Sequence, residues 1–183
     1  MSKVITAVVF TLMLHLHCQV AASASLSATG GSALLTVPPA YQRVAREYGV
    51  PAGILFAIAL TESGRQSGDR VLPYPWTLNI EGRGEYFSSR READTRLAQL
   101  IREGRSPDIG LMQVNWKYHH NKLGDPGQAI DPWLNLRAGA LVLRKCYEET
   151  GDWWQAVGRY HSRTPARAKT YRQRVLRWYR RLG

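Results

Sequence analysis

The sequence predicts a mainly α-helical fold that contains one small β-hairpin. In several stretches apolar residues recur every three or four positions, and a glycine ends most of these stretches. One stretch, PYPWTLNIEGRGEYFSS, instead alternates apolar and polar residues around a Glu-Gly-Arg-Gly turn. A chain of 183 residues is long enough to bury a core as one domain. We therefore expect a single, mainly helical domain with one small hairpin.

Residues at the ends of the helices, and in one case an apolar stripe, predict where each helix lies. Proline opens the first two helices and glycine ends them. An apolar stripe defines the third helix, and Asp131 with Pro132 begins the longest one. Asp152 caps the next helix, and Pro165 begins the last. The predicted helices cover residues 38–49, 51–64, 90–103, 131–151, 153–162 and 164–183. Residues 64–72, between the second helix and the hairpin, are expected to form a polar, flexible loop.

The first residues have the organisation of a secretory signal peptide. Lys3 precedes an apolar run from Val4 to Leu16, and the small residues Ala22-Ser23-Ala24 follow. This run is too short to cross a bilayer comfortably. An uncleaved anchor is the alternative. The chain is then expected to comprise a cleaved signal peptide, a flexible tether and one folded domain, at residues 1–24, 25–37 and 38–183.

The charge of the chain indicates an anionic partner. Lys and Arg number 25 against 14 Asp and Glu, which gives a formal net charge of +11. Cell-wall polymer, a membrane surface and nucleic acid all meet this requirement. A signal peptide argues against nucleic acid. The basic residues concentrate in the last helix, residues 164–183, which we expect to dock on the domain; contact with a membrane is the alternative.

No metal site or cofactor is expected. His119 and His120 are adjacent, so they point in different directions on a helix, and no HExxH or Cys-His ligand spacing occurs. Cys146 remains as a single cysteine after the signal peptide, so we expect no internal disulfide in an exported chain.

One carboxylic acid stands at the end of the most apolar helix. Ile54, Leu55 and Ile58 recur at helical spacing, so this helix should be buried around most of its circumference. Glu62 follows where the apolar pattern gives way to a loop. Apolar surroundings disfavour a charged carboxylate and raise its pKa, which suits a general acid near neutral pH. A solvent-facing glutamate at a helix end is the alternative.

Two other stretches offer polar side chains to a cleft. The hairpin carries Asn79, Glu81 and Glu85, which are equally compatible with an exposed position in water. In PDIGLMQVNWKYHH, Gln113 and Asn115 place amides among apolar residues. Such amides suit the recognition of N-acetyl and hydroxyl groups, and hydrogen bonds to a helix end would explain them too.

Three segments together resemble one protein family. They are ALTESG around Glu62, DIGLMQVNW at residues 108–116 and AVGRYHS at residues 156–162, and their order and separation agree with the family. In these segments the chain resembles the lytic transglycosylases of the soluble-transglycosylase (SLT) type, which share the goose-type lysozyme-like fold. The resemblance extends roughly over residues 40–165. Small exported enzymes of conjugation, secretion and pilus systems are the most similar. His161 stands where the family commonly has asparagine, so no role is carried over to it.

The resemblance implies a fold, a location and a reaction. The fold would be a lysozyme-like α+β domain with its small hairpin beside the catalytic cleft. The enzyme would be periplasmic and would cleave peptidoglycan glycan strands between N-acetylmuramic acid and N-acetylglucosamine without water. Glu62 would first protonate the leaving oxygen and then accept the proton of the muramoyl C6 hydroxyl, which leaves a 1,6-anhydro sugar. With the resemblance in hand, the expected substrate-binding residues are Ser63, Glu81, Met112, Gln113, Asn115 and Tyr160. For Ser63, a hydrogen bond to backbone groups is the alternative.

Two other functions are compatible with the sequence. A hydrolytic muramidase would use water and a second carboxylate, for which Glu81 in the hairpin is the first candidate. The other acidic residues between Gly64 and Asn115 are Asp69, Glu85, Glu92, Asp94, Glu103 and Asp108. A non-catalytic peptidoglycan-binding component of a conjugation, secretion or pilus apparatus would use the basic tail and leave Glu62 inert. The reaction products distinguish these possibilities.

Overall fold

The computed structural model describes residues 34–183. The predicted signal peptide and residues 25–33 of the predicted tether lie outside this range. Within it the architecture is mainly α with small antiparallel sheets, as the sequence predicts.

The second helix lies at the centre of the domain. The first helix, α1 (Pro39–Tyr48), ends at Gly49, whose φ of 62° places it in the left-handed region. The next, α2 (Ala52–Ser63), is buried from Ile54 to Leu60 without interruption. A helix that is apolar all round is stable in water when other elements cover every side. Helix α1, the last helix of the chain and the strand pair that follows α2 provide this cover.

The strands form two antiparallel sheets. Strands β1 (Gly64–Ser67) and β2 (Arg70–Pro73) form a hairpin, so the prediction of a flexible loop over residues 64–72 is wrong. These strands are mostly exposed and therefore lack the apolar alternation that identifies a half-buried strand. The predicted hairpin is present as β3 (Thr77–Ile80) and β4 (Arg83–Tyr86). It belongs to a four-stranded sheet of order β4-β3-β5-β6, completed by β5 (Asp108–Ile109) and β6 (Val114–Asn115).

The remaining helices begin at capping residues that the sequence partly indicates. Asp131 accepts hydrogen bonds from the backbone N–H groups of Trp133 and Leu134, and Asp152 accepts one from Gln155. Helices α4 and α5 are short and were not predicted separately. The bounds are α3 (Arg90–Arg102), α4 (Trp116–Leu123), α5 (Pro126–Ala129), α6 (Pro132–Thr150), α7 (Trp153–His161) and α8 (Pro165–Tyr179).

The last helix docks on the domain, as predicted. Tyr171 and Val175 are buried, and α8 packs on α2 and α7. The C-terminus forms a backbone hydrogen bond with the start of the described range, since the Leu35 N–H donates to the Arg181 carbonyl at 2.7 Å. Residues 34–37 of the predicted tether are therefore anchored to the C-terminus.

Among residues 34–183 no single helix is long and apolar enough to cross a membrane. Helices α1 and α2 reach the required length and composition as a pair, but with a bend of 118° between them.

Candidate active site

A cavity of about 300 Å³ opens beside the end of α2. The elements that form it are far apart in the sequence: α2, the four-stranded sheet, α4, α6 and α7. Its wall is formed by Glu62, Asn79, Asp108, Gln113, Val114, Asn115, Tyr118, His119, Val142, Tyr160 and His161. Carboxyl, amide, imidazole and phenol groups thus converge on one space, which is the usual composition of a ligand site.

Glu62 has the environment that the sequence predicts. Burial raises the pKa of its carboxyl from 4.5 to about 7, because the charged form loses hydration. The Tyr171 hydroxyl donates a hydrogen bond to Glu62 Oε1 at 2.5 Å, which favours the charged form and limits the rise. The charge of Asp108 raises the pKa further, and that of Arg174 lowers it. Near neutral pH a substantial fraction of Glu62 therefore carries a proton.

Tyr171 is a site residue that the sequence analysis missed. It belongs to the apolar face of α8 and is 1% exposed. Its hydroxyl contacts Glu62, although the two residues are 109 positions apart in the sequence. The imidazole of His161 stacks on the Tyr171 ring, with centroids 4.5 Å apart and planes 4° from parallel. A tyrosine in an otherwise apolar stripe was the available signal, since a buried hydroxyl requires a partner.

The turn between β5 and β6 is held in an unusual backbone conformation. Gly110 and Gln113 have φ values of 70° and 46°. The buried amide of Asn135 fixes the turn: it donates to the Ile109 carbonyl at 2.8 Å and accepts from the Met112 N–H at 2.9 Å. A Cβ atom at position 110 would lie 2.8 Å from Asn135 Cγ. Glycine is therefore required at position 110 for both space and conformation.

The three sequence motifs are joined to one another by hydrogen bonds at this turn. The Ser63 hydroxyl donates to the Leu111 carbonyl at 2.8 Å, and the Tyr160 hydroxyl donates to the Met112 carbonyl at 2.8 Å. Together with Asn135 they attach the turn to α2, α6 and α7.

This arrangement corrects two of the predicted substrate contacts. Ser63 is 1% exposed and the Met112 side chain is fully buried, and neither lines the cavity. The hydroxyl of Ser63 is occupied by main-chain carbonyls, and Met112 packs on Gly139, where an added Cβ would lie 2.6 Å from the methionine side chain. Both residues position the turn.

Three more of the substrate-binding candidates, Gln113, Asn115 and Tyr160, lie at the cavity. Gln113 Nε2 donates to the Gly110 carbonyl at 2.9 Å, and Asn115 Nδ2 donates to Asp108 Oδ1 at 2.8 Å. Tyr160 lines the wall while its hydroxyl is engaged by the turn. Their placement suits the predicted contact with substrate.

Glu81, which was expected to contact substrate or to serve as a second carboxylate, does not line the cavity of Glu62. It lies at the turn between β3 and β4, its side chain is 78% exposed, and it forms an ion pair with Arg105 at 3.0 Å. It borders a separate groove with Trp116 and Lys117. The second carboxylate of the cavity is Asp108, whose pKa is raised by burial and lowered by the hydrogen bond from Asn115. The hairpin tip therefore does not line the cavity of Glu62, which the alternation of residues alone does not reveal.

Two buried polar atoms in the cavity wall lack a hydrogen-bond partner within residues 34–183. They are Asn79 Oδ1 and His119 Nδ1. An unpaired buried polar atom costs on the order of 1–3 kcal/mol, so such atoms are retained where a ligand completes them. Burial lowers the pKa of His119, and the charges of Lys122 and Lys145 lower it further. Near them Tyr118, with 70% of its surface exposed, lines the cavity with an aromatic ring.

Comparison with known proteins agrees with this site. Residues 85–175, about half of the chain, match the model of the Transglycosylase SLT domain. The match includes the second and third motifs and begins after Glu62. Protein IpgF of Shigella sonnei and Protein IpgF of Shigella flexneri are each 24% identical to the chain over 152 residues, which cover 78% of this chain and 80% of the relative. No solved structure matches significantly.

The matched region supplies the β5–β6 turn, α7 and most of α8, and these elements surround Glu62 with Gln113, Tyr160 and Tyr171. The mainly α fold with small antiparallel sheets is that of a lysozyme-like α+β domain. The chain therefore belongs to the Transglycosylase SLT family and is a peptidoglycan lytic transglycosylase, a lyase.

Proposed function

We propose that this protein cleaves the β-1,4 bond between N-acetylmuramic acid and N-acetylglucosamine, and that Glu62 serves as both acid and base. The observation that carries the proposal is the carboxyl of Glu62 in the cavity wall, with a pKa raised to about 7. A general acid is most effective when its pKa lies near the working pH.

The reaction proceeds in two proton transfers. Protonated Glu62 gives its proton to the glycosidic oxygen as the bond to muramoyl C1 breaks. The muramoyl C6 hydroxyl then attacks C1, and its proton passes to the Glu62 carboxylate. The products are a free 4-hydroxyl on N-acetylglucosamine and a 1,6-anhydro-N-acetylmuramic acid end. No water is consumed, and Glu62 returns to its starting state.

The neighbours of Glu62 support this exchange. Tyr171 occupies Oε1 of the carboxyl, so Oε2 carries the proton that is transferred. The Tyr171 hydrogen bond also stabilises the carboxylate that forms after the first transfer. Asn79, Gln113 and His119 offer polar atoms to the acetamido and hydroxyl groups of the sugars, and the ring of Tyr118 offers a surface for a sugar ring.

We further propose that the enzyme is exported to the periplasm by residues 1–24 and opens the wall locally for a conjugation, secretion or pilus apparatus. The signal-peptide pattern, the single small domain and the resemblance to small exported enzymes support this role. The net charge of +11 favours association with an anionic wall.

Mass spectrometry of soluble products tests the reaction. Purified peptidoglycan is incubated with wild type, with Glu62→Gln, and with Glu81→Gln as a matched control outside the cavity. We expect muropeptides ending in a 1,6-anhydro sugar from wild type and from the control, and none from Glu62→Gln. Anhydro products from Glu62→Gln would refute the role of Glu62.

Asp108 favours one alternative reaction. A hydrolytic muramidase needs a second carboxylate to activate water, and Asp108 shares the cavity with Glu62. Products with reducing ends in place of anhydro ends would establish that reaction. Binding of peptidoglycan without any product would instead support a non-catalytic role.

A further inference from the structure

A second concavity, of about 280 Å³, adjoins the cavity of Glu62. It is lined by His161, Ala166, Arg167, Thr170, Tyr171 and Arg174. His161 lines both spaces, and Tyr171 links them because its hydroxyl contacts Glu62. The stacked rings of His161 and Tyr171 thus form the partition between the two spaces.

This concavity, which we call the basic subsite, carries the side chains of two arginines, Arg167 and Arg174. Neither Arg167 nor Arg174 forms an ion pair with a carboxylate in the described part of the chain, and no acidic residue follows Asp152. Arg174 is anchored towards the active site, since its Nη2 donates to the Thr61 carbonyl at 3.3 Å. Burial lowers the pKa of His161, and the charges of Arg174 and Arg167 lower it further.

The two arginines that precede α8 differ from Arg167 and Arg174, because each of them forms an ion pair. Arg159 and Arg163 both pair with Glu149, at 3.6 and 3.2 Å. The guanidinium of Arg167 and the remaining N–H groups of Arg174 are therefore available to an anion from outside the chain. Arginine binds carboxylates with two parallel hydrogen bonds, which makes a carboxylate the most suitable ligand.

We propose that the basic subsite binds carboxylates of the peptide stems on the glycan strand whose sugars occupy the cavity. The proposal rests on the peptidoglycan activity described above. In intact peptidoglycan the lactyl carboxyl of muramic acid is consumed in the amide bond to the stem, so the negative charge resides on the peptide. A stem that extends from a sugar beside Glu62 reaches the neighbouring concavity, and the enzyme consequently prefers peptide-bearing strands to bare glycan.

The test compares Arg167→Ala with Lys169→Ala on intact peptidoglycan and on glycan stripped of peptides by an amidase. Arg167 and Lys169 are both exposed on α8, and two positions of helix place them on different sides, so each variant removes one positive charge without disturbing the core. We expect Arg167→Ala to lower kcat/KM about tenfold on intact peptidoglycan, as for loss of a charge-assisted hydrogen bond. On stripped glycan we expect little change, and Lys169→Ala should resemble wild type on both.

The amidase removes the peptide stem and leaves the lactyl carboxyl of muramic acid free. Stripped strands therefore offer only lactyl carboxylates, whereas intact strands offer only those of the peptide, so the two substrates show which carboxylate the basic subsite binds. Equal losses on both substrates, or no loss on either, would overturn the proposal. A second assay measures co-sedimentation with intact and stripped sacculi in a Glu62→Gln background. There Arg167→Ala should weaken binding to intact sacculi alone, and unchanged binding would again overturn the proposal. This assay requires no turnover, so it tests the basic subsite even if the proposed reaction is wrong. A wrong reaction would change the products but not the effect of Arg167→Ala on binding, whereas a wrong subsite would abolish that effect.

Discussion

Replacement of Glu62 by glutamine should change how the stability of the fold depends on pH. In the folded protein the pKa of Glu62 is about 7, against an ordinary value of 4.5. Between these two values the folded chain holds a proton at Glu62 that the unfolded chain has released. The free energy of unfolding therefore falls as pH rises through this interval.

The magnitude follows from the two pKa values. Each pH unit between them corresponds to about 1.4 kcal/mol, so Glu62 alone removes about 3 kcal/mol of stability between about pH 4 and about pH 8. Glu62→Gln retains the size of the side chain and an acceptor oxygen for Tyr171. Since glutamine does not titrate, the variant loses none of this stability. We expect the unfolding free energy of the variant minus that of wild type to increase by about 3 kcal/mol over the same range.

Urea unfolding at a series of pH values measures this difference, with the fluorescence of the six tryptophans as the signal. Glu81→Gln makes the same chemical change on a side chain that is 78% exposed, and serves as the control. A difference between Glu62→Gln and wild type that does not vary with pH would refute the raised pKa. If the stability difference between Glu81→Gln and wild type varied with pH just as steeply, burial of Glu62 would not be the cause of the pH dependence.

Three further predictions concern the residues around Glu62 and the β5–β6 turn. Tyr171→Phe removes a hydrogen bond that stabilises the Glu62 carboxylate, so its pKa rises further and the alkaline limb of the pH–rate profile moves to higher pH; an unmoved limb would contradict this. Asp108→Asn removes a neighbouring negative charge, so the same limb moves to lower pH while anhydro products persist; complete loss of product by mass spectrometry would give Asp108 a chemical role. Asn135→Ala leaves the Met112 N–H and the Ile109 carbonyl buried without their partner and should reduce the unfolding free energy by about 2–4 kcal/mol in urea titrations. A loss below about 1 kcal/mol would mean that the turn has other support.

Much of the fold follows from local signals in the sequence. Proline, aspartate and glycine at helix ends, together with helical spacing of apolar residues, located the major helices correctly. The alternation around Glu81 and Gly82 likewise located the β3–β4 hairpin. The β1–β2 hairpin escaped prediction because its exposed strands leave no apolar alternation to detect. The raised pKa of Glu62 was also predictable, since it depends on the apolar character of its own helix.

The assembly of the site depended on contacts between distant segments. Sequence spacing could not distinguish Asp108 from Glu81 as the second carboxylate, because the direction of the hairpin tip is set by packing of the sheet. The family resemblance left Ser63 either at the substrate or on backbone groups, and the fold places its hydroxyl against the Leu111 carbonyl. The local sequence thus determined the helices, the hairpin and the proton-holding carboxyl of Glu62. The tertiary structure alone decided that Tyr171 contacts that carboxyl, because a pattern within α8 specifies which face is buried but not what the buried face meets.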